Sequence, residues 1–180
     1  MKKITKEVME LLDSIVVALI AVMVIFTLVC RVYVVDGESM LETLQDQDRV
    51  LVSDLFYTPK QGDIVCFMAD NYQDKVLVKR VIATEGQTVD ITADYRVLID
   101  GKELEEPYLD EYISGKKGTV KNYTAPNGYA FPYTVQKGEI FCMGDNRPGS
   151  LDSRSLGPVE TKYLLGRMLL RLFPHTGVVK

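Results

Sequence analysis

Ser39 and Lys79 are the residues of this chain best suited to acyl chemistry. Ser39 stands in Gly37-Glu38-Ser39-Met40, and Lys79 interrupts the otherwise apolar run Val76–Ile82. A serine hydroxyl is a weak nucleophile until a neighbouring base takes its proton. Histidine is the usual base, but the single histidine, His175, sits beside Pro174 near the C-terminus and is a poor candidate. A neutral lysine can replace it. Starting from ~10.4, its pKa must fall by about 2–3 units to serve near pH 7–8. Burial supplies that fall, because it disfavours the ammonium form. In an extended strand Lys75, Leu77 and Lys79 face one way and Val78, Arg80 and Ile82 the other. Lys75 lies nearer the polar start of the strand and is expected to be solvated. Taken alone, Lys79 also reads as a routine surface lysine; only the combination of motifs along the chain favours a base.

A second chemical stretch is Met143-Gly144-Asp145-Asn146-Arg147-Pro148-Gly149-Ser150-Leu151-Asp152-Ser153-Arg154. It reads either as a loop held by Asp, Asn and Ser contacts to its own backbone, or as a polar wall that positions a catalytic group. On the first reading Asp152 and Arg154 are a local ion pair worth little if exposed.

These residues need elements to hold them. From Ser14 to Cys30 there are 17 uncharged residues, the low end of the ~17–25 needed for a membrane-spanning helix. Arg31 can snorkel, and Val32–Val35 extends the apolar stretch. A cleaved signal peptide would have a shorter core and a small-x-small site, which Val29-Cys30-Arg31 is not. Lys2, Lys3 and Lys6 against Arg31 place the N-terminus in the cytoplasm by the positive-inside rule. Beyond Val35 the chain reads as short strands at 49–52, 63–68, 75–83, 89–92, 96–99, 139–143 and 163–173, with Gly, Pro and Asn between them. Asp100-Gly101 is a strong hairpin turn, and Asn127-Gly128 a second candidate. The expected fold class is mostly β, a sandwich or barrel-like domain behind one N-terminal transmembrane helix. The expected organisation is 1–13 cytoplasmic, 14–35 anchor and 36–180 catalytic domain, with 105–136 an irregular elaboration that includes the Ser114–Gly118 loop. Leu55-Phe56-Tyr57 would pack as an ordinary loop or touch a membrane.

After the anchor, 145 residues remain, enough for a real core. Hydrophobic content of 47% and charged content of 26% mark a globular chain. The net charge of −4 argues against nucleic-acid binding. Three cysteines, Cys30, Cys66 and Cys142, make no disulfide framework, and Cys66 could pair with Cys142 only across adjacent strands. No cysteine–histidine cluster suggests a metal.

In sequence order, five segments resemble those of bacterial type I signal peptidases of the short, single-anchor kind. They are Gly37-Glu38-Ser39-Met40 with Thr43-Leu44; Asp48–Val52; Gly62–Val65; Lys79–Ala83 with Glu85-Gly86; and Gly144–Arg147 through Ser150, Asp152–Arg154 and Gly157–Val159. The resemblance implies a signal-peptidase-like β-fold, Ser39 as nucleophile and Lys79 as general base. Ser150 would orient the lysine; Asp145, Asp152, Arg154 and Arg80 would support the site. The Ser39 N–H would donate to the oxyanion, and Met40 would line substrate subsites unless it is simply core. The implied partners are signal-peptide-bearing preproteins and a lipid bilayer, with no cofactor and no metal, and the catalytic domain outside the cytoplasm. Two positions depart from the family: Glu42 stands where proline is usual, and Gly37 where some relatives carry a serine donor. A carboxylate at Glu42 would favour protonated Lys79. The alternatives are a self-cleaving repressor-type Ser–Lys protease, disfavoured by the anchor, and a membrane-anchored assembly factor with little or no activity.

Overall fold

The computed structural model describes residues 2–69, 75–109 and 130–179. They fall into two compact units, Met1–Arg31 and Val32–Lys180. The first unit is a helix, α1, Lys2–Val29. Two of its hydroxyls are turned inward on its own backbone: Ser14 Oγ donates to Glu10 O and Thr27 Oγ1 to Met23 O, both at 2.8 Å. Its large apolar side chains are exposed, from Val8 through Phe26. Among the described residues no helix is long and apolar enough to cross a membrane. The helix stops at Val29, and the stretch expected to prolong an anchor is instead a strand, β1, Cys30–Val34.

The second unit is built from two sheets. The larger has seven strands in the order β1, β2 (Arg49–Ser53), β11 (Leu164–Phe173), β3 (Ile64–Ala69), β4 (Lys75–Thr84), β9 (Glu139–Met143) and β10 (Val159–Glu160). The smaller orders β7 (Lys102–Glu103), β6 (Val97–Ile99), β5 (Thr88–Ile91) and β8 (Tyr133–Thr134). Pairings from β2 onward are antiparallel. The seven strands read from the sequence are present within a residue or two at each end. The short strands β1, β7, β8 and β10 were not foreseen. Asp100 and Gly101 both have positive φ, 52° and 77°, as a two-residue hairpin turn of the right twist requires. The Ser114–Gly118 and Asn127-Gly128 expectations lie outside the described residues, as does most of 105–136, though β8 at its end joins the small sheet.

β2 is buried at every second residue, Val50 and Val52, as expected of a strand with one wet face. β4 is different: from Val78 to Ala83 every residue is buried. It is paired on one side with β3 and on the other with β9. It also reaches all three apolar clusters, through Val78, through Val81, and through Ile82 and Ala83. A lysine placed in this run has no ordinary route to water. Among the described residues, a short helix, α2 (Ser153–Leu156), follows β9 and is capped by Asp152, whose side chain accepts the Arg154 N–H.

Candidate active site

The turn carrying Ser39 is fixed from several sides. Val35 N–H donates to Asp48 O at 2.8 Å, Gln47 N–H returns to Val35 O at 2.9 Å, and Leu44 N–H closes on Met40 O at 2.8 Å. Gly37 N–H donates to Asp46 Oδ1 at 2.8 Å. Met40 and Leu44 are fully buried in the first apolar cluster and act as the turn's roots. Ser39 is left half-buried between them and the polar loop that follows β9.

Lys79 is 2% exposed. Its Nζ lies 2.7 Å from Ser39 Oγ and donates to Val78 O at 2.8 Å. Burial pushes the lysine pKa below its ordinary value; Asp152 and Asp145 oppose the fall without reversing it. Two thiols lie within electrostatic reach of the amine. Burial raises Cys66 to about 12 and Cys142 as well, so near neutral pH both are uncharged and return nothing to the ammonium form. A neutral amine at this position can donate to Val78 O and still accept the Ser39 proton. Glu42 is exposed and is not among the charges that bear most on Lys79.

The loop after β9 grips Ser39 by its backbone. Asn146 N–H donates to Ser39 O at 3.1 Å and Asn146 Nδ2 to Glu38 O at 3.0 Å. Gly144 makes the close approach possible: a Cβ there would stand 2.2 Å from Ser150 Oγ and 2.4 Å from Ser39 O. Asp145 is fully buried and doubly paired with Arg80, Nε at 2.9 Å and Nη2 at 2.7 Å, and it accepts from Thr43 Oγ1 in the nucleophile turn. Arg80 Nη1 also donates to Gly62 O at 2.9 Å. Asp152 takes Gly144 N–H at 2.9 Å and Arg154 Nε and Nη2 at 2.7 and 2.8 Å. Its burial alone would raise its pKa. Arg154, the Gly144 N–H and the Ser150 hydroxyl outweigh burial and hold it below the usual carboxylate range. Ser150 Oγ is buried and, among the described residues, meets no partner in full hydrogen-bonding geometry.

Ser39, Lys79, Arg80, Asp145, Ser150, Asp152 and Arg154 are thus gathered in one place. Met40 is not on its surface: at 0% exposure it belongs to the core, the other reading the sequence left open. His175 is exposed, and its carbonyl accepts from Arg171 Nε at 2.9 Å. Cys66 and Cys142 are free thiols, separated by β4, which lies between their strands. Sequence reasoning missed Thr43, Asn146, Arg147, Glu106 and Tyr108. Arg147 could have been found by matching charges in the glycine-rich loop, which carries two arginines and two aspartates. Glu106 and Tyr108 carry no local signal, because their contacts span roughly forty residues.

Residues 8–173 match the family described as signal peptidase, peptidase S26. A signal peptidase IB of Staphylococcus aureus is 32% identical over 179 residues, covering 95% of this chain and 92% of that one. A signal peptidase I of Bacillus amyloliquefaciens is 34% identical over 177 residues, covering 96% and 92%. A solved signal peptidase I from Enterococcus faecalis, 32% identical, covers 62% of this chain and 97% of its own, with a TM-score of 0.49. The chain belongs to the signal peptidase family, peptidase S26, and is a serine endopeptidase of its type I branch.

Proposed function

We propose that this chain removes N-terminal signal peptides from secreted preproteins after small-x-small sites, by a Ser39–Lys79 dyad. The observation that carries the reading is the buried Lys79 amine 2.7 Å from the Ser39 hydroxyl. Neutral Lys79 takes the Ser39 proton as Oγ attacks the scissile carbonyl. The resulting ammonium returns that proton to the leaving amine, giving an acyl-enzyme. The mature protein leaves as that amine; water, deprotonated by the same lysine, then attacks the ester and frees the signal peptide. The Ser39 N–H donates to the tetrahedral oxyanion; among the described residues no protein acceptor occupies it. Substrate enters as an extended strand. β9 pairs with β4 only from Arg80 onward, so among the described residues the edge from Lys75 to Lys79 is open on that side.

α1 is the membrane anchor in this reading, with its N-terminus cytoplasmic and the catalytic domain on the outer face. Its exposed apolar side chains, the 17 uncharged residues before Arg31 and its inward-turned hydroxyls support this. Phe56, 96% exposed, offers a further contact with lipid. The test is cleavage of a preprotein by detergent-solubilised enzyme. Ser39→Ala and Lys79→Ala should each lower kcat by about 10⁴-fold or more. Cleavage that survives both substitutions would sink the dyad.

A further inference from the structure

Leu104–Leu109 joins the small sheet to the back of the catalytic loop. Leu104 N–H donates to Val97 O at 2.9 Å, and its side chain packs on the cluster that β5 and β6 share with β4. Leu109 N–H closes a turn on Glu106 O at 3.0 Å. From that rooted turn two side chains reach inward. Glu106 pairs with Arg147, and the two side chains are 4% and 3% exposed. Arg147 Nη1 also reaches Glu106 Oε2 at 3.2 Å, and Tyr108 OH donates to Glu106 Oε1 at 2.9 Å. The Tyr108 ring lies 3.8 Å from Arg80 Cζ.

Arg147 and Arg80, together with Asp152 and Arg154, fix the catalytic loop. Arg147 Nε donates to Gly144 O at 3.1 Å, and its own carbonyl accepts from Arg154 Nη2 at 2.7 Å. Arg80 holds Asp145, which holds Thr43. A buried ion pair is weak evidence for stability, since apolar packing of the same volume often does as well. The Glu106–Arg147 pair, however, ends on Gly144, the residue with no room for a side chain against Ser39 O and Ser150 Oγ.

We propose that Glu106 and Tyr108 are positioning residues for the reaction: they aim Arg147 and Arg80, and through them set the Gly144–Asn146 backbone against the nucleophile. The inference rests on the Ser39–Lys79 reading. Small displacements at such a site cost rate far more than affinity.

The test uses full-length enzyme in detergent with a peptide substrate, each variant assayed below its melting temperature. Glu106→Gln lowers kcat about ten- to a hundredfold with KM within about threefold, and Glu106→Asp recovers part of the loss. In an Arg147→Met background, adding Glu106→Gln costs less than about threefold, because the path it acts through is already cut. Tyr108→Leu falls at least about tenfold further in kcat than Tyr108→Phe, which keeps a ring over Arg80. An unchanged kcat for Glu106→Gln, the same loss with or without Arg147, a loss confined to KM, or a variant that no longer folds would overturn the proposal. Ser39→Ala and Lys79→Ala run alongside: activity surviving there refutes the dyad, whereas their silence with a fully active Glu106→Gln refutes only the positioning role.

Discussion

Lys79 gives up almost all contact with water, and the carboxylates that favour its charge, Asp152 and Asp145, are already committed to Arg154 and Arg80. Its proton is therefore held less tightly than in a solvated lysine. The sign for catalysis follows: the neutral base fills as pH rises, and does so below the ordinary 10.5. The profile of kcat/KM against pH should show a one-proton acid limb with its midpoint below that value; a limb at the ordinary lysine position would mean a solvated amine. Stability moves the same way. Between the lowered folded pKa and the unfolded 10.5 the unfolded chain binds more protons, so stability gains with pH across that window. That Ser39 and Lys79 belong together was legible in the sequence because an apolar run and a serine motif are both local signals, and the two side chains do meet. The depth of Lys79 was not, since it depends on β3 and β9 covering both sides of β4.

Among the elements, the loop after β9 does the assembling. Gly144→Ala would drive a methyl into Ser150 Oγ and Ser39 O. The expected outcome is a stability loss of about 1–3 kcal/mol from overpacking, with kcat falling about a hundredfold. Calorimetry and single-turnover cleavage measure the two separately, and near-normal cleavage would show that the loop yields. The long strands were readable from period and turn residues, and Asp100-Gly101 from its turn chemistry. The two-residue strands β7, β8 and β10 were not, because pairs that short are made by their neighbours and not by propensity. The end of α1 was misjudged for the same reason. Cys30, Val32 and Val34 carry the apolar character of the helix onward, and their place beside β2 makes the segment a strand.

Among the described residues, at the scale of the molecule, three buried arginines each meet a buried carboxylate around the site: Arg80 with Asp145, Arg147 with Glu106, and Arg154 with Asp152. The sequence displays five of the six within two motifs; the sixth, Glu106, comes from the irregular stretch and is visible only once folded. A chain begun at Cys30 keeps both sheets and this network. It should melt as the full domain does and cut a soluble peptide at a comparable rate. Cleavage of a bilayer-embedded preprotein should drop about 10²-fold or more, as confinement beside the substrate is lost. Equal rates on both substrates would count against the anchor. Order of synthesis adds one more effect. The carbonyl of Glu38 is held by Asn146, 108 residues later in the chain. On the proposed mechanism, a half-emerged chain carries its hydroxyl and amine without the clasp that aligns them, and gains working geometry only once Asn146 has been made.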